Sequence, residues 1–329
     1  MRHSPCVASS VSFFSVSRSS CASTTIFNNM KYADMLVILN PVAGRHRARR
    51  QQTTLRYLLT QTAQQVGCRW QMLVTTRPGE ATELARQAAA NGTPIVVAAG
   101  GDGTLGEVAN GLVGTTTHLG VLPLGTGNDF ARCVGISQNL AVAVETLFTG
   151  KPCKVDLGRV GDRYFINVAG CGFDAAVAQR VNRGFRFLHG TAAYVAAVYQ
   201  TLITFKAVQM RLIIDGEPIS ERALLCTVAN TQSYGGGMRI APLAQVDDGW
   251  LDVCLVKAVG KMEFVRIFPR VFTGTHITHP RFMMRKAKRI EVESEPPVPV
   301  LVDGDVMGST PAVLQVYPEA VHVVLPTSK

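Results

Sequence analysis

Between residues 35 and 133 the chain runs four times from a short apolar stretch into a turn and then into a helical pattern, and this alternation constrains the fold more than any other feature. Residues 35–39 form the first apolar run and end on Asn40-Pro41; an arginine-rich segment and a helical pattern over 53–65 follow. Residues 70–75 read as a second strand and 80–90 as an alanine-rich amphipathic helix. Residues 94–99 run straight into Gly100-Gly101-Asp102-Gly103-Thr104, with a helix over 104–113. Residues 119–123 lead into a second glycine turn and a helix from about Asn128. Near-continuous apolar strands separated by helices predict a parallel sheet covered on both faces.

Beyond residue 151 the rhythm changes. Strands are predicted at 155–160, 164–169, 209–215, 223–230, 251–256, 289–293 and 298–302, separated by turn-forming residues, with helical signals near 187–205 and 261–273. This gives an α/β fold: a parallel-sheet domain over 34–152 and a second, mostly antiparallel domain over 153–307, with residues 308–329 free to return to the first. Residues 1–33, rich in serine and free of acidic side chains, form an extension outside both. It reads either as a transit-like or disordered segment or, the preferred reading, as a misassigned start with Met30 or Met35 the true beginning.

Composition removes several classes of function. With 47% hydrophobic and 17% charged residues the chain buries a sizeable core and is not disordered by composition. The net charge of +10 implies a polyanionic partner: nucleic acid, an anionic membrane surface or a phosphorylated small molecule. Against nucleic acid, the basic residues are dispersed and carry no zinc-finger, basic-helix or RNA-binding signature. The cysteines at 6, 21, 68, 133, 153, 171, 226 and 254 show no metal-ligand spacing and read as reduced thiols of a cytoplasmic protein. The longest apolar stretch, 191–205, is shorter than the ~20 residues a spanning helix needs.

An apolar strand feeding a glycine turn that opens a helix aims unpaired backbone N–H groups and the positive end of a helix dipole at one spot, which suits phosphate. Glycine permits close approach and φ > 0. Asp102 sharpens the reading, because a carboxylate beside phosphate needs a cation or a donor hydroxyl between them. A plain tight turn with Asp102 or Thr104 capping the helix explains the same residues. The second turn, Leu122-Pro123-Leu124-Gly125-Thr126-Gly127-Asn128-Asp129-Phe130-Ala131-Arg132, repeats the architecture: Thr126 offers a hydroxyl, Asn128 a helix cap, and Asp129 a second carboxylate. Asn40-Pro41-Val42-Ala43-Gly44 is a third piece at a strand end, where open parallel sheets bind ligands. None of the three is a Walker or dinucleotide-binding turn.

Taken in order, these three segments resemble the diacylglycerol kinase catalytic-domain family, which includes bacterial lipid kinases and the sphingosine and ceramide kinases. The resemblance continues through Asp156-Leu157-Gly158, Phe165-Ile166-Asn167, Gly172-Phe173-Asp174, the segment from Gly236 to Ala244, Asp248-Gly249-Trp250 and Asp303-Gly304-Asp305. It implies a nucleotide-binding α/β domain with a β-sandwich-like second domain, and an ATP- and Mg²⁺-dependent transfer of phosphate to a hydroxyl of a membrane lipid such as diacylglycerol. It places Asn40, Pro41, Gly44, Thr75, Gly100, Gly101, Asp102, Gly103, Thr104, Gly125, Thr126 and Asn128 around the nucleotide. Asp102 and Asp129 would hold Mg²⁺, and Asp305 would accept the hydroxyl proton. A structural Mg²⁺ would sit on the Asp248 side chain and the carbonyls of Gln245 and Trp250.

Two positions depart from the family pattern: Asp305 stands where glutamate is usual, and Gly106 where asparagine is usual. The helical segment 188–205 and the basic stretch 281–289 would give peripheral contact with an anionic membrane, and a homodimer is left open. Two rivals remain: an NAD-kinase-like enzyme acting on a soluble nucleotide, and a nucleotide- or lipid-sensing module without catalysis.

Overall fold

The computed structural model of the chain describes residues 34–182 and 191–327. The extension 1–33 and the start of the helical signal at 187–205 lie outside the described residues. The first half builds β1 (Asp34–Leu39), α1 (Ala43–Val66), β2 (Arg69–Val74), α2 (Glu80–Ala90), β3 (Ile95–Gly100), α3 (Asp102–Leu112), β4 (His118–Pro123), α4 (Asp129–Cys133) and α5 (Leu140–Thr149). These strands are parallel in the order β2-β1-β3-β4. Their carboxyl ends are level: Leu39 lies opposite both Val74 and Ala99, and Ala99 opposite Leu122. The apolar runs become strands because both faces are covered, and every residue of β3 is buried.

The second half adds β5 (Lys151–Val160), β6 (Arg163–Phe165), β7 (Val168–Gly172), α6 (Phe173–Asn182), α7 (Thr191–Thr204), β8 (Val208–Ile214), β9 (Glu217–Ala229), β10 (Leu251–Lys257), α8 (Lys261–Ile267), β11 (Phe282–Ala287), β12 (Arg289–Glu295), β13 (Pro299–Val302), β14 (Asp305–Ser309) and β15 (Ala312–Leu325). Pairing here is antiparallel. The long strand β9 pairs β8 through its first half and lies between β7 and β10 through its second. Its burial changes accordingly, from mostly exposed over 217–222 to fully buried over 223–229.

β15 joins the halves. It runs antiparallel to β5 and to β12, and parallel to β4 at His322 and Val323, so that among the described residues fifteen strands form one continuous sheet. Its register shifts between Tyr317 and Val321. There Glu319 takes a left-handed φ of 50° and donates its N–H to the buried Asp156 carboxylate.

Three predicted elements differ in detail. The strand predicted over 164–169 is interrupted, because the amides of Ile166, Asn167 and Val168 are taken by the Asp303 carboxylate instead of a neighbouring strand. The helix predicted over 261–273 ends at Ile267, and Pro269, which has no N–H to give, carries a 3₁₀ turn over Phe268–Val271. Helix α1 begins at Ala43, ahead of its predicted start, through three left-handed residues, Gly44, Arg45 and His46.

Candidate active site

The level strand ends set the three turns side by side. Backbone bonds carry the sheet one step further: Asn40 donates to the Ala99 carbonyl, Thr75 to Leu39, and Leu124 and Gly125 both to Gly100. The two glycine turns then touch. A Cβ on Gly125 would come within 2.4 Å of the Gly101 Cα, and one on Gly44 within 2.2 Å of the Leu124 carbonyl oxygen. Glycine is required at these positions because backbone, not a yielding side chain, fills the space. Asn40 Nδ2 donates to Thr104 Oγ1 at 3.0 Å, locking the Asn40–Gly44 turn to the Gly100–Thr104 turn. Gly100 lines the same floor, Gly103 and Thr126 are exposed, and Pro41 is half-buried in the Asn40–Gly44 turn.

Asp102 does not cap its own helix. Its two carboxylate oxygens accept the N–H groups of Asp129 and Phe130, each at 3.1 Å, so it caps α4 in the second turn. Asn167 Nδ2 lies 3.5 Å from the same carboxylate. Asp129 accepts the Gly236 N–H at 2.8 Å, and burial, followed by the neighbouring Asp102, raises its carboxyl above the usual range. The two carboxylates converge: a Cβ on Gly127 would meet Asp129 Oδ2 at 3.2 Å and Asp102 Oδ2 at 3.3 Å.

Asn128 corrects an expectation. It stands at the N-cap of α4 with a φ of 52° and makes no side-chain cap. Its amide folds back to accept the Gly125 N–H and to donate to the Gly125 carbonyl and Gln138 Oε1, which pins the turn from within.

A third carboxylate joins this pocket unannounced by the sequence. Asp303 is half-buried, accepts the amides of Ile166, Asn167 and Val168 at 2.8–3.1 Å, and is pushed up to about 6, first by burial, with Asp102 adding to it. Its left-handed φ of 45°, beside Gly304 at 95°, is the hairpin conformation that an Asp-Gly pair favours. Asp102, Asp129, Asn167 and Asp303 line one pocket together with Thr126, Gly236, Tyr194 and Tyr234.

Asp305 lies elsewhere. Two residues along the hairpin, its carboxylate accepts the Arg163 guanidinium at 2.6 Å, with the side chain 62% exposed. It lines a polar groove with Gly79, Arg86, Glu107, Asn110 and Tyr164. Thr75 is buried with its hydroxyl turned to the Leu39 carbonyl. Gln245, Asp248 and Trp250 lie outside both spaces. Asp248 accepts the Trp250 N–H at 3.0 Å and the Lys286 ammonium, so a cation already sits beside it. Gln245 is exposed, and the Trp250 ring lies under Lys288, 4.8 Å from the ammonium.

No three His, Cys, Asp or Glu side chains among the described residues form a ready metal cage. Mg²⁺ needs less than a cage: one or two carboxylates beside waters and phosphate oxygens. The converging Asp102 and Asp129 fit that requirement; Asp248, already paired with Lys286, fits it poorly.

The carboxylate pocket borders an apolar cleft. Tyr194 and Tyr234 line both spaces. Their rings meet edge to face 6.4 Å apart, and burial raises both phenols. The cleft holds about 80 Å³ and is walled by α6, α7, α8 and the 3₁₀ turn after it, through Val177, Val198, Phe264 and Phe268, and by Phe282 at the start of β11. Sequence reasoning placed the second-domain helices but not this cleft, because its walls come from segments nearly a hundred residues apart.

Known proteins agree with this architecture. Residues 34–160 match the family model described as diacylglycerol kinase catalytic domain, and residues 167–325 match the YegS C-terminal NAD kinase beta sandwich-like domain. A diacylglycerol kinase of Bacillus subtilis (strain 168) is 31% identical over 296 residues, 89% of this chain and 96% of the relative. One of Mycobacterium tuberculosis (strain H37Rv) is 36% identical over 254 residues, 75% of this chain and 82% of the relative. A solved structure of a diacylglycerol kinase from Bacillus anthracis str. Sterne superposes with a TM-score of 0.70 at 24% identity, over 90% of this chain and 98% of that one. No described helix is long and apolar enough to cross a membrane. The chain belongs to the diacylglycerol kinase family of ATP-dependent lipid kinases.

Proposed function

We propose that the chain transfers the γ-phosphate of ATP to a hydroxyl of a membrane lipid such as diacylglycerol, working at the face of a membrane. One observation carries the choice of acceptor: the carboxylate pocket beside the phosphate-type turns adjoins, across Tyr194 and Tyr234, a cleft lined by apolar side chains. A soluble nucleotide has no use for such a cleft; an acyl chain does.

The residues divide the work as follows. The amides of the turns at Asn40–Gly44, Gly100–Thr104 and Gly125–Asn128 receive the polyphosphate, with the hydroxyls of Thr104 and Thr126 close by. Asp102 and Asp129 would hold Mg²⁺, which, when bound, neutralises charge on the transferring phosphate. Asn167 steadies the Asp102 carboxylate, and Asp303 fixes the Asn167 backbone. The tyrosine pair closes the pocket toward the cleft and limits access of water. Asp305 serves as the proton acceptor only by leaving Arg163, since in its present ion pair it faces the neighbouring groove.

Purified full-length protein given labelled ATP, Mg²⁺ and a panel of lipid alcohols beside NAD tests the proposal. Label in a lipid supports it; label in NAD alone, or ATP binding with no transfer, defeats it. Asp102→Asn should lower turnover by about a thousandfold or more, the scale of losing a transition-state charge partner, with the fold retained at a cost of about 1–3 kcal/mol because one of its two N–H partners, Asp129 or Phe130, loses its acceptor. For the base, Asp305→Glu retaining activity while Asp305→Asn loses it supports Asp305; an active Asp305→Asn removes it from the mechanism.

A further inference from the structure

The apolar cleft has to be filled from somewhere, and the surface around its walls is not uniform. Helix α8 supplies Phe264 and Ile267 to the cleft and turns its other side outward. On that side Met262 is 68% exposed and Val265 37%. The end of α7 lies alongside, with Ile203 68% and Tyr199 36% exposed. The two helix ends are one surface: Lys261 Nζ donates to the Ile203 carbonyl at 2.6 Å, and Tyr199 meets Phe268 edge to face at 5.7 Å. Large apolar side chains exposed this far are costly unless something covers them.

Charge indicates what the cover is. Lys206, Lys261 and Arg266 are exposed around these apolar side chains, whereas the acidic Glu263 is half-buried and turned to His279. The basic stretch 281–289, which the sequence offered as a membrane contact, is by comparison already engaged. Arg285 pairs with Glu217, Lys286 with Asp248 and Arg289 with Glu291, while Lys288 sits over Trp250. Met283 and Met284 pack on the interior of the second domain.

We infer that the outer faces of the end of α7 and of α8 form the membrane-docking surface of this protein. Ile203, Met262 and Val265 enter the acyl boundary, while Lys206, Lys261 and Arg266 meet anionic head groups. The occupant is a lipid bilayer carrying anionic lipids, because exposed apolar side chains ringed by cations suit that interface, and because the same helices wall the cleft. A lipid leaving the bilayer here would pass from membrane to cleft without crossing water. The inference rests on the lipid-acceptor reading above and adds to it the place and orientation of contact.

The test is co-sedimentation of the full-length protein with vesicles of phosphatidylcholine, with and without phosphatidylglycerol. Wild type should prefer the anionic vesicles, less so as salt rises. Ile203→Ser with Met262→Ser should weaken the partition about tenfold or more, and Lys261→Glu with Arg266→Glu by a similar factor. Arg285→Gln with Arg289→Gln should change it by less than about twofold, since those cations are paired. Transfer to a short-chain diacylglycerol in detergent micelles and the melting temperature, measured on every variant, should stay near wild type. Unaltered vesicle binding in the α7–α8 variants overturns the inference. So does a wild type that ignores anionic vesicles, as it would if this face served another protein. If micellar transfer fails even in wild type while vesicle binding follows the stated pattern, the acceptor reading falls and the docking surface stands.

Discussion

Asp303 and Asp305 stand two residues apart and live in different solvents. Asp303 is half-buried and holds three buried amides of the segment leading into β7; Asp305 is exposed and shares a screened ion pair with Arg163. Asp303→Asn therefore leaves buried N–H groups short of an acceptor and should cost about 2–4 kcal/mol. Asp305→Asn should change stability by less than about 0.5 kcal/mol. Denaturant titration of both variants checks the pair. The pH dependence has a definite sign: the folded pKa of Asp303 is raised to about 6 from an ordinary value of 3.8. Its protonated form thus favours the folded state, fully so below about pH 4, and that contribution is lost as pH rises through 6. The gap in melting temperature between wild type and Asp303→Asn should narrow over the same interval, and a widening gap contradicts the assignment. Asp102 and Asp129 were legible because each follows an apolar strand within a glycine turn. Asp303 was not, since its partners are some 135 residues away and its Asp-Gly pair reads locally as a hairpin. Asn128 was misread as a cap for a related reason: Asx side chains bond locally in several ways, and only the left-handed φ shows which.

At the scale of elements, the parallel strands and the helices α2 and α3 were legible to within about two residues, since buried strands and amphipathic helices leave periodic signals, whereas α5 was not predicted. The limits lay at α1, whose first turn is left-handed, and at β11, where Phe-Met-Met-Arg-Lys does not alternate. β15 carries the least readable signal for its importance. Pro318 and Glu319 break its pattern at the register shift, and its pairing with β4 depends on residues about 200 positions earlier. Yet Val323 is wholly buried against the first-domain core, while Leu314 is buried in that of the second. Val323→Ala should therefore cost about 2 kcal/mol and lower the stability of both halves in a single transition. Separate melting of the two halves in calorimetry would show that β15 does not couple them.

Across the whole molecule, a carboxylate pocket framed by both halves of the chain borders an apolar cleft lined by the second half alone, and the proposed function gives phosphate chemistry to the first and the lipid to the second. Filling one should spare the other. Ile267→Trp, which projects bulk into the cleft from the end of α8, should raise KM for a long-chain lipid about tenfold or more, the scale of a blocked apolar subsite. It should leave KM for ATP unchanged; equal effects on both would mean that the two spaces are not separate. The shared strand has a further consequence, felt before the protein ever meets a substrate. During synthesis β4, ending at residue 123, emerges early, but β15, which covers its outer edge, begins only at residue 312. At ordinary elongation rates the nascent first domain waits on the order of ten seconds or more with an open sheet edge. The order of translation thus makes the newborn α/β half the stage at which a chaperone, or a second nascent chain, has the most to hold.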